Sequence, residues 1–455
     1  MTPHGPGPAE DVSSAGPRPA PGPSRVLVVA DSDSYVKYGA ALAEQLPASW
    51  SVRIVVAAGN AVPSPRQLAD AVAGTRFVGA DVPVVGLGDL RRLLDGWRPD
   101  VVIAAARGYT VQATLSLVAN TPQRPVLVSG IAGVSIPVLP YGLGFRRSVD
   151  VFVTHSHHEL AESQRVSRRV GIPIRFELGT LPYLAAARAV RPEPRGRRRI
   201  VFAAQALVPS SRRDRQWLVE KLAETARQHP DVDVVVKVRA RAGETQTHHE
   251  QVGYEELVST LREEGRAPEN LLVEDGPMRR HLEKASGFVT VSSTALLEAV
   301  AAGVPVLAID DFGVGAAQIN VVLEGSGVLA GAEELVAGRF RTPDPQWVHD
   351  NYFHHTADDT WADAVQGLLA VRAFEGLPPY RELPRSWMNS MREVWYREFA
   401  FRTGRTGWFA WAERRFLHAA LTLNRGRWRL ITALSGRPSP RERTVEPEPT
   451  RVPAP

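Results

Sequence analysis

Two series of short β-branched runs, broken once by a stretch rich in proline and arginine, constrain this chain more than any other feature. The first series occupies residues 25–30, 52–57, 82–85, 101–105, 126–128 and 151–154, and the second occupies 200–204, 232–238, 271–273, 288–291 and 304–309. Each interval has room for a helix or crossover, as at 215–228 and 254–264. Such strand and helix repeats close into a parallel sheet covered on both faces. The break, YLAAARAVRPEPRGRRR at 183–199, has no period and reads as an interdomain connection. The fold expected is α/β: two tandem Rossmann-like doubly wound domains, residues 25–182 and 199–380, joined by a linker at 183–198. The carboxyl ends of both sheets then flank one cleft, where such sheets bind ligands.

Composition limits what the remainder can do. The 455 residues are 44% hydrophobic and 23% charged, enough for two or three domains with a large core. Cysteine is absent, which removes disulfides, thiol nucleophiles and thiolate metal sites together. No apolar run approaches a membrane span and residues 1–24 lack the apolar core of a leader, so a cytosolic location is expected. Residues 1–24 hold seven prolines and 437–455 hold six, compositions that bury too little apolar surface to order, and both ends are expected to be disordered.

The most informative stretch is VTVSSTALLEAVAAGVPVLAI at 289–309. It reads as one βαβ unit in which Ser292, Ser293 and Thr294 open a helix that stops at Gly303. Unpaired N–H groups, the positive end of the helix and adjacent hydroxyls suit a phosphate there. A simple helix cap is the competing reading.

The order of features in the second half resembles the nucleotide-sugar domain of GT-B glycosyltransferases, especially bacterial capsule-type Kdo, sialyl and related transferases. Those enzymes carry a Gln after their first strand, a Lys/His-Pro loop and a Ser-Ser/Thr helix start. Here the corresponding places hold Gln205 in FAAQ, Lys237-Val238-Arg239 and Ser292-Ser293-Thr294 ahead of Glu298-Ala299. The likeness covers 199–335, and the first half only as a generic Rossmann-like domain. It implies a GT-B-like fold, a nucleotide-sugar substrate, no cofactor and no metal. Arg239-Ala240 replaces the usual His-Pro, so a permanent guanidinium would serve the donor phosphate. Thr290 stands where many retaining relatives place a first Glu of a pair, so the resemblance favours inversion. It also implies that Glu298 holds the ribose hydroxyls, although a mid-helix Glu is equally a solvated charge.

Lysine is rare, four against fifty arginines, and Lys37 and Lys237 both fall at strand-end loops. Lys237 with Arg239 and Arg241 forms a positive cluster suited to two phosphates, or else a solvated basic edge. Asp275 and Gly276, in the turn Glu274-Asp275-Gly276-Pro277, lie where related enzymes edge the nucleobase, although such a turn is equally an ordinary connection.

The first domain is expected to bind the acceptor and carry the base. The loop after its first run, from Asp31 through Asp33 to Lys37, enters a helix facing the cleft. A carboxylate there would take the proton of an attacking sugar hydroxyl, with Asp33 the first candidate and Asp31 the second. Either could instead cap the helix. Lys37, Arg107 in Arg107-Gly108-Tyr109 and the 130–133 loop are expected on the acceptor side. His155, His157, His158 and Glu159 invite a metal reading, but Ser156 and Glu159 form a capping box that turns the histidines apart. His155 alone remains a candidate for base or acceptor contact. Gly86 and Gly88 make no dinucleotide fingerprint, since the pattern fails at Arg91.

Residues 381–436 form a separate helical extension. Within 381–429 there are eleven Arg and four Glu, with no Lys or Asp, a local net of +7 against +5 for the whole chain. The same residues hold five of the ten tryptophans. Three uses fit: an anionic membrane surface, packing back across the domains, or nucleic acid, of which nucleic acid is not expected. The functional expectation is a glycosyltransferase moving a sugar from a nucleotide-sugar donor to a hydroxyl of a surface polysaccharide or glycolipid acceptor. A nucleotide-sugar epimerase of the same architecture and a non-catalytic scaffold are the alternatives.

Overall fold

The computed structural model describes residues 23–59, 62–118, 123–181, 183–191, 197–205, 208–238, 253–380 and 387–401. Arg239, Arg241 and residues 402–455 therefore lie outside the described residues, as do residues 1–22 of the N-terminal end expected to be disordered.

The first sheet contains β1 (Arg25–Ala30), β2 (Ser51–Ala57), β3 (Val84–Val85), β4 (Val101–Ala104), β5 (Val126–Gly130), β6 (Val151–Thr154) and β7 (Phe176–Leu178), in the order β3-β2-β1-β4-β5-β6-β7. The second contains β8 (Arg198–Ala203), β9 (Val232–Lys237), β10 (Leu271–Glu274), β11 (Ala285–Thr290), β12 (Val306–Ile309) and β13 (Leu329–Ala330), in the order β10-β9-β8-β11-β12-β13. Every neighbouring pair is parallel. The expected tandem of doubly wound domains is therefore what forms.

The continuous apolar character of the runs has a direct cause. Along β1, Val26 and Val28 enter one core and Leu27 and Val29 enter the other, on the opposite face of the sheet. In the second sheet Ile200 and Phe202 divide in the same way from Val201 and Ala203. A side chain so buried contributes about 2 kcal/mol on either face, so successive positions along the middle of these strands are apolar. In each sheet the order reverses beside the first strand, between β1 and β4 and between β8 and β11, which places the two ligand crevices at the carboxyl ends of those pairs.

Packing divides the chain differently from the expected boundaries. The stretch expected as linker carries a helix, Tyr183–Arg188, whose Leu184 is buried with Leu296 and Ala299 of the second unit. The second unit also does not run to 380. The helix Trp361–Phe374 places Trp361, Ala364 and Val365 in the core of the first sheet. Trp361 Nε1 donates to Gln45 Oε1 at 2.8 Å and Arg372 pairs with Asp100 at 2.7 Å. Of the basic extension, the helix Trp387–Phe401 is described, and its Tyr396, Ala400 and Phe401 are buried with Val111 and Leu115 of the first domain. That part packs back across a domain. The edge strands β7 and β13 were not expected, because strands of three and two residues carry no readable pattern. The run at 304–309 pairs as a strand only from Val306, since Pro305 has no N–H to donate.

Candidate functional site at the interdomain cleft

On the second-domain side the crevice is closed by Gln205 and the serines. Gln205 follows β8, and its Oε1 accepts from the Ser292 backbone N–H at 3.1 Å and the Ser292 hydroxyl at 2.8 Å. The buried Arg215 donates to the Gln205 carbonyl at 3.2 Å and to Pro209 at 2.8 Å, which fixes this loop. Ser293 Oγ accepts from Ala295 N–H at 3.3 Å, and Ser293 N–H donates to Thr290 Oγ1 at 3.2 Å. Thr294 is the N-cap of the helix Ala295–Ala301 and makes no side-chain cap. The three hydroxyls are thus not equivalent. Ser292 gives its proton to Gln205, while Ser293 uses a lone pair and keeps a proton to donate.

Lys237 ends β9, paired in register with Ala203 on one side and Glu274 on the other. His281, which the sequence pattern did not single out, completes this corner. Its Nε2 donates to the Asp275 carbonyl at 2.9 Å and its Nδ1 lies 3.5 Å from Glu274 Oε2. Burial depresses its pKa, and the nearby Lys237 charge works in the same direction. Asp275 and Gly276 form the expected turn, with Gly276 at φ +99°, a left-handed conformation that favours glycine.

On the first-domain side Asp31 is buried at the β1/β4 reversal. Its Oδ2 accepts from Arg107 Nε at 2.9 Å, Arg107 N–H at 3.2 Å and Thr110 Oγ1 at 2.7 Å. Its Oδ1 and the Ser32 hydroxyl are buried and have no hydrogen-bond partner among the described residues. Asp33 occupies the first turn of the helix Asp33–Glu44 and is half-buried, more accessible than Asp31. Arg146, another residue the pattern did not flag, joins the carboxyl ends of β4 and β5 by donating to Ala106 O at 2.9 Å and Gly130 O at 3.2 Å.

His155 is not open to a substrate. A carbonyl only accepts, so His155 Nδ1 donates to Gly179 O at 2.9 Å and Nε2 accepts from the Tyr38 hydroxyl at 2.8 Å. Burial holds the imidazole pKa below its ordinary value. The acceptor-side role expected of His155 is therefore corrected to a buried link. The expected capping box is only half formed. Ser156 Oγ accepts from Glu159 N–H at 3.0 Å, whereas the Glu159 carboxylate accepts from His155 N–H and Ser135 N–H, each at 2.9 Å, and from the Tyr352 hydroxyl at 2.6 Å. Tertiary donors outcompete the local one. Among the described residues no group of three or more His, Asp or Glu is placed to hold a metal ion.

The two sides meet. Lys37 Nζ lies 3.7 Å from Glu298 Oε2 and 4.9 Å above the Tyr183 ring, so one residue expected on the acceptor side pairs with one expected to hold the donor ribose. The Tyr183 hydroxyl is buried, and burial followed by the Glu298 charge pushes its pKa up. Gly133 has φ +99°, and a Cβ there would come within 3.0 Å of Thr294 Cγ2. A side chain at that position would hold the 130–133 loop away from the helix start.

Among solved structures, the chain is similar to UDP-GlcNAc 2-epimerase from Neisseria meningitidis bound to UDP-GlcNAc, with 12% identity, a TM-score of 0.46 and coverage of 76% of this chain and 99% of that one. It is similar to UDP-GlcNAc 2-epimerase from Methanocaldococcus jannaschii in complex with UDP-GlcNAc and UDP, with 12% identity, a TM-score of 0.45 and coverage of 77% and 99%. It is also similar to the glycosyltransferase SnogD from Streptomyces nogalater, with 19% identity, a TM-score of 0.40 and coverage of 77% and 99%. No curated protein matches the sequence significantly. The family described as "Putative glycosyltransferase (DUF6716)" matches residues 26–368, most of the chain, and the chain belongs to that family.

Proposed function

We propose that the protein transfers a sugar from a nucleotide-sugar donor to a hydroxyl of a surface polysaccharide or lipid-linked glycan, with inversion and without a metal. The observation that carries the reading is the meeting of two sheet-end crevices across Lys37 and Glu298, one lined by Gln205, Ser292 and Ser293 and the other by Asp31, Asp33 and Arg107. In this reading the donor phosphates take N–H and hydroxyl donors from Ser293 and Thr294 and charge from Lys237 and Arg239, while Asp275 and Gly276 edge the base. Glu298 takes the ribose hydroxyls once Lys37 turns from it toward the acceptor.

Asp33 is the base. It reaches the cleft from a half-buried first turn, whereas Asp31 has one oxygen committed to Arg107 and Thr110 and serves to aim Arg107 at the acceptor. A carboxylate removes the acceptor proton as the hydroxyl attacks the anomeric carbon, and the nucleoside diphosphate or monophosphate leaves on the opposite face. Contact with an anionic membrane surface belongs to this reading through residues 402–429, which hold seven Arg, one Glu and three Trp.

A thermal-shift screen of the full chain against CMP, UDP, GDP and their sugars tests the donor half. Stabilisation by one nucleotide class supports it, and no shift with any of them leaves the scaffold reading in its place. Sugar isomerisation without an acceptor would replace transfer by epimerisation. Co-sedimentation with anionic liposomes, lost toward about 0.5 M salt where surface charges are screened, tests the membrane part. An intact chain that ignores such liposomes ends it.

A further inference from the structure

We infer that the C-terminal helix is part of the acceptor site, with Phe399 a positioning residue that acts through Tyr109 on Arg107. This rests on the reading that Arg107 faces the acceptor. Phe399 stands edge-on to the Tyr109 ring, with centroids 4.3 Å apart and planes at 75°. The Arg107 guanidinium lies over that same ring at 5.2 Å, and its Nε reaches Asp31 Oδ2 at 2.9 Å. The order of contact is therefore Phe399, Tyr109, Arg107, Asp31. It joins residues distant in sequence to the one carboxylate buried at the sheet reversal.

The helix is held well enough to serve as a support. Trp395 packs against Phe399 at 5.3 Å and against Tyr396 at 5.5 Å, and Tyr396 meets Phe145 at 5.5 Å. Arg397 donates to Ser116 Oγ at 3.2 Å. At the end of the helix the Ala400 carbonyl approaches Gly59 so closely that a Cβ there would lie 2.9 Å from it. Arg107, by contrast, keeps 23% of its side chain exposed and has no carboxylate besides Asp31 within ion-pair distance among the described residues. The guanidinium holds Asp31 along one edge, Nε donating to Oδ2 at 2.9 Å and Nη2 to the Asp31 carbonyl at 3.3 Å. Both bonds lie in its plane, so it can still hinge about that edge unless something backs its flat face, and a ring fixed from behind supplies that backing. The C-terminal helix thus sets the direction in which Arg107 points.

The test uses the full chain and backbone amide exchange at Arg107, whose N–H donates to Asp31 Oδ2 at 3.2 Å. Phe399→Ala and Phe399→Leu should both speed that exchange about tenfold relative to Leu115 of the adjoining helix, and Phe399→Tyr should restore it. The Leu variant keeps apolar volume and removes the ring. Wild-type exchange in Phe399→Leu would reduce Phe399 to ordinary packing and overturn the inference. In an Asp31→Ala background, which removes the acceptor of the Arg107 N–H, adding Phe399→Leu should change exchange no further, and an additive effect would also overturn it. In transfer from whichever nucleotide sugar the screen identifies, Phe399→Leu should lower kcat about tenfold with donor KM unchanged, and a loss in donor KM alone would refute the route through Arg107. The two levels separate cleanly. Unchanged exchange sinks the positioning role alone, whereas transfer indifferent to Arg107→Ala sinks the acceptor assignment and leaves the exchange result intact.

Discussion

Asp31→Asn should loosen the first domain by about 2 kcal/mol while leaving nucleotide binding in the second untouched. The magnitude follows from the Oδ2 contacts. That atom accepts from Arg107 Nε, Arg107 N–H and Thr110 Oγ1 at 2.9, 3.2 and 2.7 Å. An amide oxygen in the same place keeps three bonds but loses charge assistance, about 1 kcal/mol for each. Relief from burying a charge, with Asp31 only 1% exposed, returns about 1 kcal/mol. A net loss near 2 kcal/mol should lower the melting temperature of a unit of this size by about 4 to 8 °C. Urea unfolding followed by far-UV circular dichroism measures the first quantity, and calorimetric titration with the nucleotide chosen by the thermal-shift screen measures the second. A stability change under about 0.5 kcal/mol would refute the reasoning, since it would mean that the Arg107 pair is already broken in solution. Weakened nucleotide binding would refute the separation of the two sides.

Asp33→Asn should abolish transfer with donor affinity intact, because a base acts in the transition state and hardly in the ground state; normal turnover on the native acceptor would move the role to Asp31. Lys237→Ala should weaken nucleotide binding by about 1.5 to 3 kcal/mol, the cost of one charge-assisted contact, and unchanged affinity would remove the donor-site assignment. His155 has a folded pKa held below the unfolded value of 6.5 by burial, so the unfolded chain binds the proton more readily. Its contribution to stability is full above about pH 6.5 and is lost as pH falls through the depressed folded value. Urea midpoints between about pH 7.5 and 5 should therefore fall less steeply in His155→Gln than in the parent chain, and equal slopes would show that His155 is solvated.

What the sequence determined by itself was the kind of fold and the hydroxyl-rich helix start at the carboxyl end of a strand in the second sheet. Both are local signals. Parallel strands buried on two faces must be apolar at successive positions, so Val26 to Val29 announce β1 without knowledge of any partner. The hydroxyl-rich turn at Ser292 to Thr294 is legible because a helix start imposes its own chemistry within a few residues. The tertiary structure alone decided which of these groups meet. Glu159 fits a capping box in sequence, yet its carboxylate is taken by Ser135, His155 and Tyr352, since buried donors must be satisfied wherever the acceptor lies. His155 resembled a candidate base until Tyr38 and Gly179 occupied both ring nitrogens. Lys37 and Glu298 show no relation along the chain, and neither do Asp31 and Arg107, or Phe399 and Tyr109. Periodicity reports that a side chain is buried and on which face. It carries no information about what waits on the other side, and in this protein the site is built from such meetings.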